Sequence, residues 1–256
     1  MYLSSFNLHG KNAVVTGAGR GIGQAVAIGL AEAGANVILV SRTKANLEET
    51  AIHIKNQNVS YWVMPTDVTS EKAVESLFKR IDEEVGSVDI LINNAGMNIR
   101  SKALDVTTEE WNIIMDTNLK SAFQMAQKAG ERMQKLGHGK IVNISSVGGH
   151  VALRTGVVYA MTKAALIQMT KVLALEWGEH NINVNAIGPW YFPTPLTEKL
   201  LQDENYVEDI LRVTPLNRLG KLEELVSPTV FLCSEAGNYI TGQTLFVDGG
   251  MTIQGF

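Results

Sequence analysis

The amino-acid sequence predicts an α/β fold: one doubly wound domain spanning 1–256, built on a seven-stranded, mainly parallel sheet. Three observations predict it. Short apolar runs alternate with longer helical patterns; the first six runs are spaced widely enough for crossover helices; and a glycine-rich turn joins the first run to the first helix. Several runs are apolar on both faces, as strands buried inside a parallel sheet must be. The runs are Ala13–Thr16, Val37–Val40, Tyr61–Met64, Ile90–Asn93, Lys140–Ile144, Asn183–Ala186 and Thr244–Val247. Helical patterns fit 22–33, 44–56, 70–85, 108–136, 156–178 and 221–234. Thr69-Ser70-Glu71 and Thr107-Thr108-Glu109-Glu110 pair a hydroxyl cap with carboxylates at the positive end of a helix, and Gly34 and Gly86 fall where helices should stop. One stretch breaks the alternation: 188–218 carries four of the six prolines. It is expected to replace a regular crossover with a lid over the ligand crevice, which such sheets place at the carboxyl ends of their strands.

Composition narrows the function. A net charge of −4 without a basic run argues against nucleic-acid binding. Cys233 is the only cysteine, so no disulfide framework exists, and a small buried apolar role is expected for it. Met1–Gly10 lacks the basic and apolar regions of a signal peptide, and no apolar run is read as approaching the ~18–20 residues of a membrane span. These features predict a cytoplasmic chain without membrane association. No His, Cys and carboxylate cluster has metal-ligand spacing, so no metal is expected.

Thr16-Gly17-Ala18-Gly19-Arg20-Gly21-Ile22-Gly23 follows the first strand and opens a helix. Glycines let the backbone turn tightly and approach a pyrophosphate, which then sits on the helix N-terminus. The second strand ends in Val40-Ser41-Arg42, without the carboxylate that would select a ribose 2′-hydroxyl. Arg20 and Arg42 are instead placed to clasp a 2′-phosphate through planar donor forks. NADP(H) is therefore favoured, with NAD(H) possible; the alternative for Arg42 is a solvated surface charge.

Tyr159-Ala-Met-Thr-Lys163 places a phenol and an ammonium on one helix face. A nearby ammonium favours the phenolate, lowering a pKa that is otherwise about 10 and making Tyr159 a usable acid or base. Ser146, a hydroxyl donor upstream, completes a site that stabilises charge developing on a carbonyl oxygen.

In order along the chain stand Thr16-Gly17-x-x-x-Gly21-Ile22-Gly23, Asp67-Val68, Asn93-Asn94-Ala95-Gly96, Asn118, Ser146, Tyr159-x-x-x-Lys163 and Pro189…Thr194. Together they resemble the short-chain dehydrogenases/reductases, over nearly the whole chain. The resemblance implies a Rossmann-type fold and hydride transfer between a nicotinamide cofactor and a small-molecule carbonyl or secondary alcohol. It assigns Ser146, thirteen residues before Tyr159, to the substrate oxygen, Tyr159 to proton transfer, Lys163 to the Tyr159 pKa and the nicotinamide ribose, and Asn118 to a water linking Lys163 to solvent. It assigns Asp67 and Val68 to the adenine, Asn94, Ala95 and Gly96 to the adenosine ribose and nearby cofactor, and Pro189 and Thr194 to the nicotinamide end. It further implies a homotetramer, with the helices at 108–136 and 156–178 in one interface and the last strand and C-terminal tail in another. The family's Pro-Gly reads Pro189-Trp190 here, which makes Trp190 a candidate wall of the substrate pocket.

The substrate pocket is expected to draw on Ser146, His150, Arg154 and Trp190, with Arg100 and Arg154 as possible carboxylate ligands. The run from Gly188 to Arg218 is similar to gluconate 5-dehydrogenases and related sugar-acid reductases, which makes a sugar acid the favoured substrate. The 3-oxoacyl-carrier-protein reductases share most of these residues and remain an alternative, as do other ketone reductases and hydro-lyase or epimerase chemistry. A non-catalytic dinucleotide-binding protein is the remote alternative, since Ser146, Tyr159 and Lys163 are all present.

Overall fold

The structure, a computed structural model, describes residues 6–154 and 156–253. The leader sought at Met1–Gly10 and the tail assigned to an oligomer contact fall partly on 1–5 and 254–256, outside the described residues. Seven strands, β1 (Asn12–Thr16), β2 (Asn36–Ser41), β3 (Tyr61–Pro65), β4 (Ile90–Asn93), β5 (Gly139–Ile144), β6 (Ile182–Pro189) and β7 (Thr244–Val247), form one sheet in the order β3-β2-β1-β4-β5-β6-β7. Every pairing is parallel. The winding reverses between β1 and β4, which pair directly, so a crevice opens beyond their carboxyl ends.

Nine α-helices cover the described sheet: α1 (Gly21–Glu32), α2 (Lys44–Ile54), α3 (Glu71–Glu84), α4 (Thr108–Met115), α5 (Ser121–Leu136), α6 (Val157–Trp177), α7 (Glu198–Leu201), α8 (Glu204–Arg212) and α9 (Glu223–Cys233). The two-residue period of the strands divides the core into two layers. On β1, Ala13 and Val15 join Leu30 and Leu225 of α1 and α9, whereas Val14 faces Phe78 and Met125 of α3 and α5. Ser70 caps α3 by accepting from the Ala73 N–H, and Thr107 caps α4 by accepting from the Glu110 N–H. Gly34 and Gly86 follow α1 and α3 with positive φ, where the sequence ends those helices.

Two sequence expectations change. The helix expected at 108–136 is interrupted by a π-helical turn at Asp116–Lys120 that aims Asn118 into the core. The irregular 188–218 stretch, expected to hold loop and short helix, contains α7 and α8. By length and composition alone, Val157–His180 is apolar enough to cross a membrane, with mean hydropathy 1.2. The fold uses this segment as a core helix: Val158, Leu166, Leu173 and Ala174 of α6 are buried, and α6 packs along β6.

Candidate active site

The crevice is a cleft of about 500 Å³, running from the end of β2 to the start of α6. Its floor is the turn between β1 and α1. Thr16 Oγ1 donates to the Ile92 carbonyl and accepts from the N–H groups of Asn94 and Ala95 at 2.9 and 3.0 Å, tying the ends of β1 and β4 together. Asn94 Nδ2 donates to the carbonyls of Thr16 and Gly17. The Asn94 side chain thus shapes the turn, and the residue lines the cleft. Gly17 and Gly21 hold φ values of +66 and +58, a left-handed conformation that glycine adopts without strain. Gly23 does not line the cleft; a Cβ there would collide with the Gly17 carbonyl and the Asn94 amide, so it closes the turn from behind.

α1 begins with no side-chain cap and no acidic residue in its first turn. Its free N–H groups and the positive end of its dipole therefore face the cleft. Gly17, Gly19, Arg20, Gly21 and Ile22 line this end, with Ser41, Arg42, Asp67 and Val68 beyond them. Arg20 and Arg42 are exposed at the rim. Burial raises the Asp67 pKa, but hydrogen bonds from Thr69 and the charge of Arg42 outweigh it and bring the carboxyl below its usual range. An open helix terminus, a glycine cradle and an extended cleft bordered by two guanidinium groups suit a dinucleotide.

At the other end, Ser146 leaves β5 in an extended conformation and accepts from the Gly148 N–H at 3.1 Å. Its hydroxyl faces Tyr159, on the first turn of α6. Burial raises the Tyr159 pKa, opposed by the hydrogen bond from Ser146 and by the Arg100 guanidinium. Lys163 lies one turn further along, but its Nζ donates to the Ile144 carbonyl at 2.8 Å and stands 5.5 Å from the Tyr159 ring centroid. The lowering of the Tyr159 pKa expected from Lys163 is therefore not seen. Helical spacing puts both residues on one face, yet the lysine leans toward the sheet. Burial instead lowers the pKa of Lys163 itself to about 8.

Asn118 lies behind this wall, fully buried. Its Oδ1 accepts from the Met97 N–H and its Nδ2 donates to the Met97 carbonyl, both at 2.8 Å, with a further contact to Thr162 Oγ1. A Cβ on Gly96 would stand 3.4 Å from Asn118 Oδ1 and 3.6 Å from Lys163 Nζ, so the three residues adjoin. Asn118 does not line the cleft; it positions the loop after β4.

The substrate end departs most from expectation. Pro189, Trp190 and Thr194 line the cleft, with Arg100, Leu153 and Tyr191. His150 does not, because its ring packs against Phe246, centroids 5.0 Å apart. Arg154 does not either: it points outward into an ion pair with Asp209 at 2.7 Å, while its neighbour Leu153 turns in. Trp190 borders the cleft, but its indole N–H is held by Thr214 Oγ1 at 3.1 Å. Sequence proximity to Ser146 selected His150 and Arg154; the turn after β5 decides which side chains face inward. Cys233 is buried in α9, where burial pushes its thiol up to about 12, as an unreactive packing residue.

A family model described as enoyl-(acyl carrier protein) reductase matches residues 17–252. The chain belongs to the short-chain dehydrogenase/reductase family. It is 43% identical over 255 residues to a tropinone reductase homolog of Arabidopsis thaliana, covering 98% of this chain and 96% of the relative. It is 39% identical over 249 residues to the gluconate 5-dehydrogenase of Gluconobacter oxydans (strain 621H), covering 97% of each. A crystal structure of a gluconate 5-dehydrogenase from Burkholderia cenocepacia J2315, in complex with NADP and tartrate, superposes with a TM-score of 0.94 at 36% identity, covering 98% of both chains. The short-chain dehydrogenase/reductase described here is thus an oxidoreductase of the class acting on alcohol and keto groups.

Proposed function

We propose that this oxidoreductase interconverts a keto group and a secondary alcohol on a sugar acid, with NADP(H) as its cofactor. The observation that carries the reading is the cleft itself, in which the Ser146 and Tyr159 hydroxyls share one chamber with the Arg100 guanidinium, while Arg42 borders the far end. The relatives named gluconate 5-dehydrogenase, one of them holding NADP and tartrate, support it.

When bound, the nicotinamide supplies or accepts the hydride. The N-terminus of α1 and the glycine turn hold the pyrophosphate, and Arg20 and Arg42 engage a 2′-phosphate. Ser146 donates to the substrate oxygen. Tyr159 gives that oxygen its proton in reduction and takes it back in oxidation. With its pKa raised by burial, the phenol holds its proton at neutral pH, the state reduction requires. Lys163 supports the negative charge that Tyr159 acquires after giving up the proton. Arg100 engages the substrate carboxylate, and the 188–218 segment serves as the lid.

A homotetramer acting in the cytoplasm completes the proposal. Leu175 of α6 is 86% exposed, and Trp111 of α4, Phe123 of α5 and Val172 of α6 are exposed as well. Toward the C-terminal end, Tyr239, Leu245 of β7 and Ile253 are also exposed. Such surfaces favour symmetric closure.

The test follows nicotinamide absorbance with NADPH or NADH against 5-ketogluconate, 2-ketogluconate, acetoacetyl thioesters and neutral diketones. NADPH oxidation by a ketogluconate, lost in Tyr159→Phe, is the expected result. Turnover confined to the thioester moves the chain to the acyl-reductase reading, and preference for NADH overturns the cofactor assignment.

A further inference from the structure

Tyr206, on α8, stands outside the cleft, yet it is tied to two of the cleft's walls. Its hydroxyl meets the Tyr191 hydroxyl at 2.5 Å, with the rings edge-on and 5.9 Å apart. Tyr191 lines the cleft with Arg100 and Tyr159. The Arg154 guanidinium lies over the Tyr206 ring, 5.9 Å from its centroid, and pairs with Asp209, three residues further along α8. Asp209 also pairs with Arg212 at 2.7 Å. A single helical turn of α8 thus grips both the loop that follows Ser146 and the loop that follows β6.

The consequence reaches Arg100. Burial and the bond to Tyr206 make Tyr191 hard to ionise, and the adjacent Arg100 guanidinium opposes this. The same guanidinium acts on Tyr159. Arg100, Tyr159 and Tyr191 line one chamber, and Tyr206 holds the tyrosine in its wall.

We propose that Tyr206 is a positioning residue for substrate specificity: by fixing Tyr191 through the paired hydroxyls, it holds the wall of the chamber that Tyr191 shares with Arg100 and Tyr159, where the carboxylate of a keto acid is received. The proposal rests on the sugar-acid reading for its substrate. Tyr206 touches no reacting atom, so its removal acts on acid binding and leaves the chemical step intact. The Arg154–Asp209 pair holds the same turn from outside; being largely exposed, it contributes less.

The experiment compares the wild-type enzyme with Tyr206→Phe, Tyr191→Phe and the double variant. Each single change deletes one hydroxyl and keeps the rings. Losing one part-buried hydrogen bond should raise KM for 5-ketogluconate about five- to tenfold. In Tyr206→Phe, whose ring stands outside the cleft, kcat should be unchanged and KM for a neutral diketone should stay within about twofold. The double variant should be no worse than either single one, because both remove the same bond. Hydrogen exchange should quicken in 188–212 alone. An equal rise in KM for both substrates, a fall in kcat alone, or fully additive effects overturns the proposal. If the wild type ignores ketogluconates, the sugar-acid reading fails separately. Tartrate inhibition of diketone reduction then reads the same subsite: an inhibition constant five- to tenfold weaker in Tyr206→Phe upholds the proposal, and an unchanged one overturns it.

Discussion

Lys163 gives its ammonium to the Ile144 carbonyl, at 2.8 Å, while the Tyr159 ring centroid lies 5.5 Å away. The charge is buried beside the phenol and bonded to the sheet. Its pKa falls to about 8 from 10.5 because burial penalises the ammonium. Reduction needs the charged lysine, so kcat/KM for reduction should fall as pH rises through about 8. A profile flat to pH 10 would contradict this. Stability moves in the opposite direction: between about 8 and 10.5 the unfolded chain binds more protons than the folded one, so stability rises with pH across that window. Lys163→Met should be inactive yet about 1–2 kcal/mol more stable at pH 7, the gap closing toward pH 10.5. Urea unfolding at pH 7 and pH 10 checks it.

Tyr159→Phe keeps the ring that lines the cleft and removes only the transferable proton. Turnover should fall about 10²- to 10⁴-fold, with NADPH affinity nearly unchanged. Ser146→Ala should lower kcat about 10²-fold by removing a donor to the developing oxyanion. Fluorescence titration of NADPH separates lost chemistry from lost binding.

Arg42→Asp reverses the charge at the end of β2, the position where an acidic residue selects the 2′-hydroxyl. KM for NADPH should rise at least about tenfold while KM for NADH holds or falls. An unchanged ratio would make Arg42 a solvated surface charge.

Asp89, at the opposite end of the sheet, is buried and accepts from the Asn12 N–H at 3.0 Å, His138 Nε2 at 2.8 Å and Lys11 Nζ at 3.3 Å. Burial raises its pKa, but these donors outweigh it and hold the carboxyl below 3.8. The folded value is depressed, so the stabilisation is fully present above 3.8 and is lost as pH falls through the lower folded value. Asp89→Asn should cost about 1–3 kcal/mol at pH 7 and progressively less below pH 4. Thermal unfolding at both pH values checks it, with activity at pH 7 retained because the cleft is at the other end of the strands.

Leu175→Arg places a charge on the exposed face of α6. If that face joins subunits, the variant should sediment as a smaller species than the wild type. An unchanged mass would remove α6 from the interface.

The alternation of strand and helix was legible because each parallel strand is buried on both faces and reads as an apolar run; all seven runs became strands, displaced by a few residues at most. The glycine turn was legible because positive φ at Gly17 and Gly21 has a residue signature. The π-helical turn at Asp116–Lys120 was not, since it leaves the helical pattern of side chains almost unchanged while rotating Asn118 inward. Nor was the orientation of the loop after β5. One residue of offset sends Arg154 to Asp209 and Leu153 into the cleft, and nothing in a single sequence records that choice.

The sequence by itself determined the doubly wound fold, the cofactor end of the cleft and the presence of Ser146, Tyr159 and Lys163, because these depend on local periodicity, on turn chemistry and on spacing within one helix. Only the tertiary structure decided where Lys163 sends its charge, which arginine faces the chamber and how α8 grips its walls. Those outcomes rest on contacts between residues such as Arg154 and Asp209, 55 positions apart, whose pairing depends on how separate elements pack.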